Sequence, residues 1–326
     1  MARTQDGPDG IVVIDKPAGM TSHDVVARAR RLLHTRKVGH AGTLDPMATG
    51  VLVLGVGRGT RLLTYLVGAD KEYVATVRLG QATTTDDAEG DVTDSPGLME
   101  LAPGALRGAV ASLTGPIDQV PSAVSAVKVD GRRAYARVRA GEHVELAARP
   151  VVVHAFDVSE PRTARADDGT AVIDLEARVV CSSGTYVRAL ARDLGSALGV
   201  GGHLTALRRT RVGGYGLDVA VPLPPSEHAD APVGAGGLRL LPLADAARSV
   251  FPVRELTAEE ARELSFGRSI ALPAPASAAG APGPATSGPV GTAEAPAAGI
   301  SPDGVLVALL ARRGDRVRPV LVLAPA

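Results

Sequence analysis

The chain has 326 residues, of which 45% are apolar, so it can form one large domain and a small one and is too apolar to be disordered throughout. Its single cysteine, Cys181, excludes an internal disulfide and any zinc site built from several cysteines. The formal net charge is zero, which by itself argues against a nucleic-acid-binding protein, but the basic residues are clustered along the chain.

The N-terminal part of the chain predicts strands around one helix. Ser22 can cap a helix that continues to about His34, with apolar residues on one side. Apolar or alternating segments predict strands at residues 11–14, 51–54 and 73–79. The glycine-rich segment 55–59 lacks the spacing of a nucleotide-binding motif, so we interpret it as a turn.

The most informative segment lies between the first two of these strands. Residues 39–52 read Gly-His-Ala-Gly-Thr-Leu-Asp-Pro-Met-Ala-Thr-Gly-Val-Leu. Pro46 has no N–H group and biases Asp45 towards an extended or turn conformation. An acid on a loop shaped by glycine and proline beside a buried strand is typical of a catalytic residue. The alternative is an aspartate that caps a helix, which the spacing alone leaves open.

The C-terminal part predicts further strands, two helices and an insert. Strands are predicted at 122–129, 151–158, 173–179, 305–310 and 317–323. Residues 184–198 predict a helix closed by Gly199, and Thr257 with Glu260 forms a capping box. Residues 271–303 are dominated by Ala, Pro, Gly and Ser, which predicts a flexible insert. Because strands and helices follow no regular βαβ period, the predicted class is α+β with a mixed or antiparallel sheet.

Six segments together resemble the motifs of the tRNA pseudouridine synthase B (TruB) family of bacterial type, in the same order. They are residues 15–22, 39–52, 71–80, 83–90, 181–188 and 207–210. The resemblance implies the pseudouridine synthase fold, a central sheet flanked by helices, with residues 1–235 as the catalytic domain. Residues 236–326 would form a small, β-rich, PUA-like RNA-binding module that is interrupted by the insert at about 271–303.

The resemblance also implies a reaction and its residues. The T-loop uridine of tRNA, position 55 in tRNA numbering, would be flipped out and isomerised to pseudouridine without a cofactor or a metal. Asp45 would act as nucleophile or base at the ribose, with Arg188 as its partner. Tyr73 would stack on the base and take the proton from C5. The other matched residues imply substrate binding: His40, Tyr186, Leu207 and Lys16.

The expected partner is the T-arm of tRNA, bound by a monomer that needs no other protein. Basic clusters at 28–37, 132–139 and 208–211 favour phosphate contact, although each alone is more often a solvated surface. The sequence has no signal peptide and no long apolar stretch, which predicts a cytoplasmic protein that does not enter a membrane.

Three other functions are compatible with parts of this sequence. The same chemistry could act on another RNA within a guide-RNA particle, but the self-contained bacterial layout of motifs argues against this. A non-catalytic RNA-binding protein would be favoured by an altered Asp45 or Arg188, and both are present. A glycosidase would need a second placed carboxylate, which none of the matched motifs supplies. For Arg188 and His40 taken alone, ordinary structural or surface roles would be the better interpretation.

Overall fold

A computed structural model describes residues 7–102, 104–122, 128–129, 132–133, 146–225, 238–272, 291–293 and 295–326. Within these ranges the helices are α1 (Ser22–Leu32), α2 (Leu63–Val67), α3 (Ala105–Ser112), α4 (Val187–Ala197), α5 (Leu243–Arg248) and α6 (Ala258–Ser265). The strands are β1 (Gly10–Lys16), β2 (Val38–His40), β3 (Thr49–Val56), β4 (Lys71–Leu79), β5 (Ala82–Thr83), β6 (Val92–Asp94), β7 (Gly115–Gln119), β8 (Lys128–Val129), β9 (Arg132–Arg133), β10 (Arg149–Val158), β11 (Arg162–Arg165), β12 (Ala171–Cys181), β13 (Gly202–Val212), β14 (Tyr215–Gly216), β15 (Val221–Pro222), β16 (Val253–Glu255), β17 (Ile270–Ala271), β18 (Ala297–Ile300), β19 (Leu306–Arg313) and β20 (Arg316–Val322).

The larger sheet runs in the order β15-β1-β3-β13-β4-β12-β10-β7. Most neighbours are antiparallel, whereas β13 with β3 and β1 with β15 are parallel, which confirms the expected mixed sheet. On β4, alternation places Tyr73, Ala75, Val77 and Leu79 inside, while Val74 faces solvent. At β4 the sheet therefore has one buried face, and Tyr73 belongs to it.

Helices α1 and α4 cover the buried face because each has an apolar side. In α4 the buried residues include Val187, Leu190 and Leu194, which pack in one cluster with Tyr73 and Leu207 of the sheet. Helix α1 packs through Val25 and other apolar residues on β1 and β3. In the described ranges, no helix has the length and apolar character needed to cross a membrane.

The C-terminal residues form a second sheet in the order β16-β18-β19-β20-β17. The predicted capping box is confirmed, since Thr257 and Glu260 hydrogen bond reciprocally at the start of α6. This module shares a hydrophobic cluster with the larger sheet, in which Ile11 and Val53 pack with Leu309 and Leu323. We infer that the two sheets are held together by apolar packing as well as by the chain connection.

Several sequence expectations need correction. Both predicted bounds of the flexible insert at 271–303 are wrong. Ala271 lies in β17, and residues 297–300 form β18, which is wholly buried. Composition misled here because small Ala and Gly side chains pack well between closely spaced layers. The helix predicted from Gly184 begins at Val187, since Gly184 has a φ of 91° and Tyr186 is extended. Residues 273–290, and most of the strand predicted at 122–129, lie outside the described residues.

Strand β18 provides a test of the C-terminal module. Deleting residues 272–301 removes a strand that pairs with both β16 and β19, so we expect the melting temperature to fall by more than about five degrees. Deleting only residues 274–288 is the control, because it keeps β18 and loop length costs little entropy. Differential scanning calorimetry of both deletions makes the comparison. Equal melting temperatures for the two would contradict a structural role for β18.

Candidate active site

The loop that carries Asp45 connects β2 to β3 and is held on both sides of the aspartate. Ser22 fixes the preceding residue, because its Oγ accepts from the N–H of Leu44 at 2.8 Å and donates to the Leu44 carbonyl at 3.0 Å. Lys16 fixes the following residue, since its Nζ donates to the Pro46 carbonyl at 3.1 Å. The loop therefore has a defined shape before any ligand binds.

Arg188, in the first turn of α4, contacts the Asp45 carboxylate directly. Its Nε lies 3.0 Å from Asp45 Oδ2, and its Nη1 donates to the Thr85 carbonyl at 2.8 Å and lies 3.3 Å from Asp87 Oδ2. The Arg188 side chain is only 4% exposed, whereas that of Asp45 is 35% exposed. The interpretations of Arg188 as a surface residue and of Asp45 as a helix cap are therefore wrong. The guanidinium orients a carboxylate that remains open to a pocket.

Asp45 lies in the wall of a cavity of about 250 Å³. Five of the residues expected at the site line it together: Asp45, Tyr73, Tyr186, Arg188 and Leu207. These residues come from the loop before β3, from β4, from the start of α4 and from β13, so the tertiary fold brings them together. A concave pocket that joins a held carboxylate to aromatic and apolar side chains can accept a planar ring beside a nucleophile.

Tyr186 and Arg188 share this pocket because of the backbone between them. Tyr186 is the extended N-cap of α4, with φ −103° and ψ 106°, so it precedes the helical turn that contains Arg188. The buried Gln119 fixes that position. Its Oε1 accepts from the Tyr186 N–H at 2.8 Å, and its Nε2 donates to the Tyr186 carbonyl at 3.1 Å.

Tyr73 presents its ring from β4 and is 8% exposed. Burial raises the pKa of the Tyr73 phenol, while the charge of Arg209 and a hydrogen bond from it act in the opposite direction. The net shift is upwards, so the hydroxyl is protonated at neutral pH. A phenol in this state can accept a further proton only if it gives up its own.

Lys16 and His40 are not among the residues that line the cavity. Lys16 is fully buried and its Nζ donates to three carbonyls, those of Pro17, Met20 and Pro46, while burial lowers its pKa to about 8. Lys16 therefore supports the loops around Asp45, and its part in substrate binding stays a prediction.

His40 ends β2, and its ring meets the His23 ring edge-on with centroids 5.5 Å apart. Burial, and then the nearby His23, lower the pKa of His40. At neutral pH the His40 ring is therefore mostly uncharged.

The sequence expectations missed several residues of the site. Four polar residues that contact the site were not expected there, and they differ from other polar residues of the chain only in being buried: Asp87, Gln119, Lys71 and Arg209. Three of them fell in noted segments: Lys71 in the matched segment 71–80, Asp87 in the matched segment 83–90 and Arg209 in the basic cluster 208–211. Nothing in the sequence distinguishes the buried members of these runs from the exposed ones.

The basic cluster 208–211 does not offer free charges to phosphates. Arg208 pairs with Asp15 at 2.7 Å, and Arg211 lies 3.7 Å from Glu72. Arg209 is 1% exposed. The side chains of the cluster at 132–139 lie outside the described residues.

Three protein-family models match the chain. The model of the TruB family pseudouridylate synthase N-terminal domain matches residues 30–187. The model of the tRNA pseudouridylate synthase B C-terminal domain matches residues 188–224, and the model of the tRNA pseudouridine synthase II C-terminal region matches residues 251–324.

Curated relatives match over nearly the whole chain. The chain is 59% identical to the tRNA pseudouridine synthase B of Arthrobacter sp. over 97% of both chains. It is 53% identical to that of Thermobifida fusca over 97% of this chain and 99% of the relative.

A solved structure agrees as well. The protein chain matched in the structure of a Cbf5-Nop10-Gar1 complex is similar with a TM-score of 0.67 and 25% identity, covering 97% of this chain and 85% of that one. The pseudouridine synthase fold expected from sequence is thereby confirmed. The chain belongs to the TruB family of pseudouridylate synthases.

Proposed function

We propose that this protein is a tRNA pseudouridine synthase that isomerises uridine 55 in the T-loop of tRNA. The observation that carries the proposal is the Asp45 carboxylate, held by Arg188 at 3.0 Å in the wall of a pocket. The names of the relatives, which are tRNA pseudouridine synthases over nearly the whole chain, support the same substrate. The isomerisation exchanges no electrons or groups with a third molecule, so it requires no cofactor.

In this proposal Asp45 acts at the ribose of the flipped uridine. The bond between C1′ and N1 breaks, the base turns, and C5 bonds to C1′, with Asp45 serving as nucleophile at the sugar or as base. Arg188 keeps the carboxylate pointed into the pocket, and its contacts with Thr85 and Asp87 hold the guanidinium in turn. Because the pocket wall is fixed before binding, little reorganisation is needed when the sugar arrives.

The base is held by the other pocket residues. Tyr73 offers a ring face for stacking, and Tyr186 and Leu207 complete the wall. The Tyr73 oxygen takes the proton from C5 while its hydroxyl gives its own proton to N1 of the turned base, which is the atom that gains a proton in pseudouridine. Arg209 assists this exchange, because its charge and hydrogen bond lower the pKa of the phenol against the effect of burial. His40, which lies outside the pocket lining, is at the end of β2. There its ring can occupy the gap that the flipped uridine leaves in the base stack of the RNA.

We propose a two-part organisation for RNA binding. Residues 1–235 form the catalytic domain, and residues 236–326 form a PUA-like module that contacts RNA away from the pocket. The packing between the two sheets supports a fixed distance between the two contacts. The protein acts in the cytoplasm as a monomer, without an obligate protein partner, on the T-arm.

The direct test uses the purified protein and an unmodified tRNA transcript. Pseudouridine should form at position 55 in the wild-type transcript, and none should form when that uridine is replaced by cytidine. Guide RNA and other proteins are left out, which separates this function from that of a guide-RNA particle. Pseudouridine at another position, or none at all, would contradict the proposal.

Binding should depend on salt through the basic cluster at 28–37. Arg31 and Arg36 are exposed there, so each phosphate contact that they make releases counterions. We expect Arg31→Gln to reduce the log–log salt slope of tRNA binding by about one unit. Arg165→Gln is the matched control. Arg165 lies on β11 beside the first residue of β12, and the pocket lies at the opposite end of β12, about 30 Å away. Equal slopes for wild type and Arg31→Gln would contradict phosphate contact.

A further inference from the structure

We propose that Arg209 is a positioning residue of the isomerisation, which ties the Asp45 loop and the Tyr73 hydroxyl into one geometry. The inference rests on the proposed function. The guanidinium donates to three main-chain carbonyls, from Nε to Val51 at 2.7 Å, from Nη1 to Thr43 at 3.2 Å and from Nη2 to Gly42 at 3.2 Å. Gly42 and Thr43 belong to the loop that carries Asp45, and Val51 belongs to the strand that follows it.

The backbone brings Arg209 and this loop together. Gly42 has a φ of 98°, a conformation that turns the chain where its carbonyl meets the guanidinium. Gly50 passes so close to β13 that an added Cβ would lie 2.1 Å from the carbonyl oxygen of Arg209. Both ends of the loop therefore close onto Arg209, one through its side chain and one through its main chain.

The same side chain reaches Tyr73. Arg209 is the direct cross-strand partner of Tyr73 in the pairing of β13 with β4, so the two side chains stand on the same buried face. Of the pocket cations, Lys71 is directed elsewhere, because its Nζ donates to the carbonyls of Val67 and Ala69. Arg209 thus contacts the catalytic loop and the base-stacking tyrosine at once.

The burial of Arg209 supports this assignment. The side chain is 1% exposed, and the hydrogen bonds of its guanidinium given above are to carbonyl oxygens rather than to a carboxylate. A buried charge is costly unless its hydrogen bonds are satisfied, and an apolar replacement would leave three carbonyls without donors. Arg208, the adjacent residue, faces the other side of the sheet and pairs with Asp15. Arg208 already supplies a positive charge for an ion pair at this part of β13, so the arginine at position 209 is explained by its hydrogen bonds rather than by its charge alone.

The experiment compares Arg209→Ala and Arg209→Lys with Arg208→Ala on the same tRNA transcript. We expect Arg209→Ala to lose at least about thirtyfold in kcat while KM changes by less than about threefold, because the loop is displaced but the pocket remains. Arg209→Lys, which keeps the charge and one donor, should retain more turnover than Arg209→Ala. Arg208→Ala should keep the wild-type kcat.

Added ethylguanidinium provides the readout that distinguishes positioning from stability. It fits the space left in Arg209→Ala and should restore kcat at least about fivefold, with no effect on Arg208→Ala. If Arg209→Ala does not fold, the kcat and KM of Arg209→Lys decide alone. Wild-type kcat in a folded Arg209 variant, or a loss confined to KM, overturns the proposal. Wild-type enzyme that forms no pseudouridine under the same conditions would refute the function instead, so the two failures are distinguishable.

Discussion

Replacing Asp45 with asparagine should abolish turnover, to below about a hundredth of the wild-type rate, while the fold and the affinity for tRNA remain. Asparagine has nearly the same shape and can still accept a hydrogen bond from Arg188 through its amide oxygen. It cannot supply a carboxylate, either as nucleophile or as base. Arg188 stays near Asp87 at 3.3 Å, so the buried guanidinium keeps an ionic partner and stability should change little.

The measurements for Asp45→Asn are pseudouridine formation, tRNA affinity and melting temperature. Affinity should persist because phosphate contacts supply most of it. Asp157→Asn is the control, since Asp157 is 67% exposed on β10, away from the pocket lining, and should keep full activity. Turnover above about a hundredth of wild type would remove Asp45 from the chemistry. A large drop in melting temperature would mean instead that the carboxylate supports the fold.

Tyr73→Phe should bind tRNA normally and fail to complete the reaction. Phenylalanine keeps the ring face, whose stacking on a base is worth about 1–3 kcal/mol, and loses only the hydroxyl. Tyr73→Leu should weaken base capture as well, because leucine lacks the ring face on which the base stacks. It also removes the ring from a buried cluster. Comparing binding and turnover for the two variants therefore separates the stacking face of Tyr73 from its hydroxyl.

A substrate with 5-fluorouridine at the target position sharpens the test. Its C5 carries no proton, so the step assigned to the Tyr73 hydroxyl is absent, whereas cleavage of the bond from C1′ to N1 is still required. Tyr73→Phe should therefore consume the fluorinated RNA, because Asp45 and Arg188 are unchanged, while Asp45→Asn should not. Wild-type turnover of uridine by Tyr73→Phe would leave Tyr73 as a stacking platform only.

Several features were determined by the sequence itself because they depend on local patterns. The strand around Tyr73 follows from the alternation of apolar and polar residues. The start of the helix after Thr257 follows from the capping-box partner three residues later. The loop at Asp45 follows from its glycine and proline residues. The ordered motif matches also predicted the family. They predicted the pairing of Asp45 with Arg188 as well, although these two residues are 143 positions apart in the chain. Such patterns are readable because the physical cause lies within a few neighbouring residues or in a shared motif.

Only the tertiary structure decided which polar residues are buried and what they touch. Lys16 and Arg209 are inside the protein although charge alone predicts a surface position. Arg208 and Arg209 are adjacent, yet alternation along β13 sends one to an ion pair and the other to the pocket. Strand β18, composed of small residues, is buried only because β16 and β19 enclose it. In each case the deciding contact comes from a distant segment, and a local pattern contains no information about that segment.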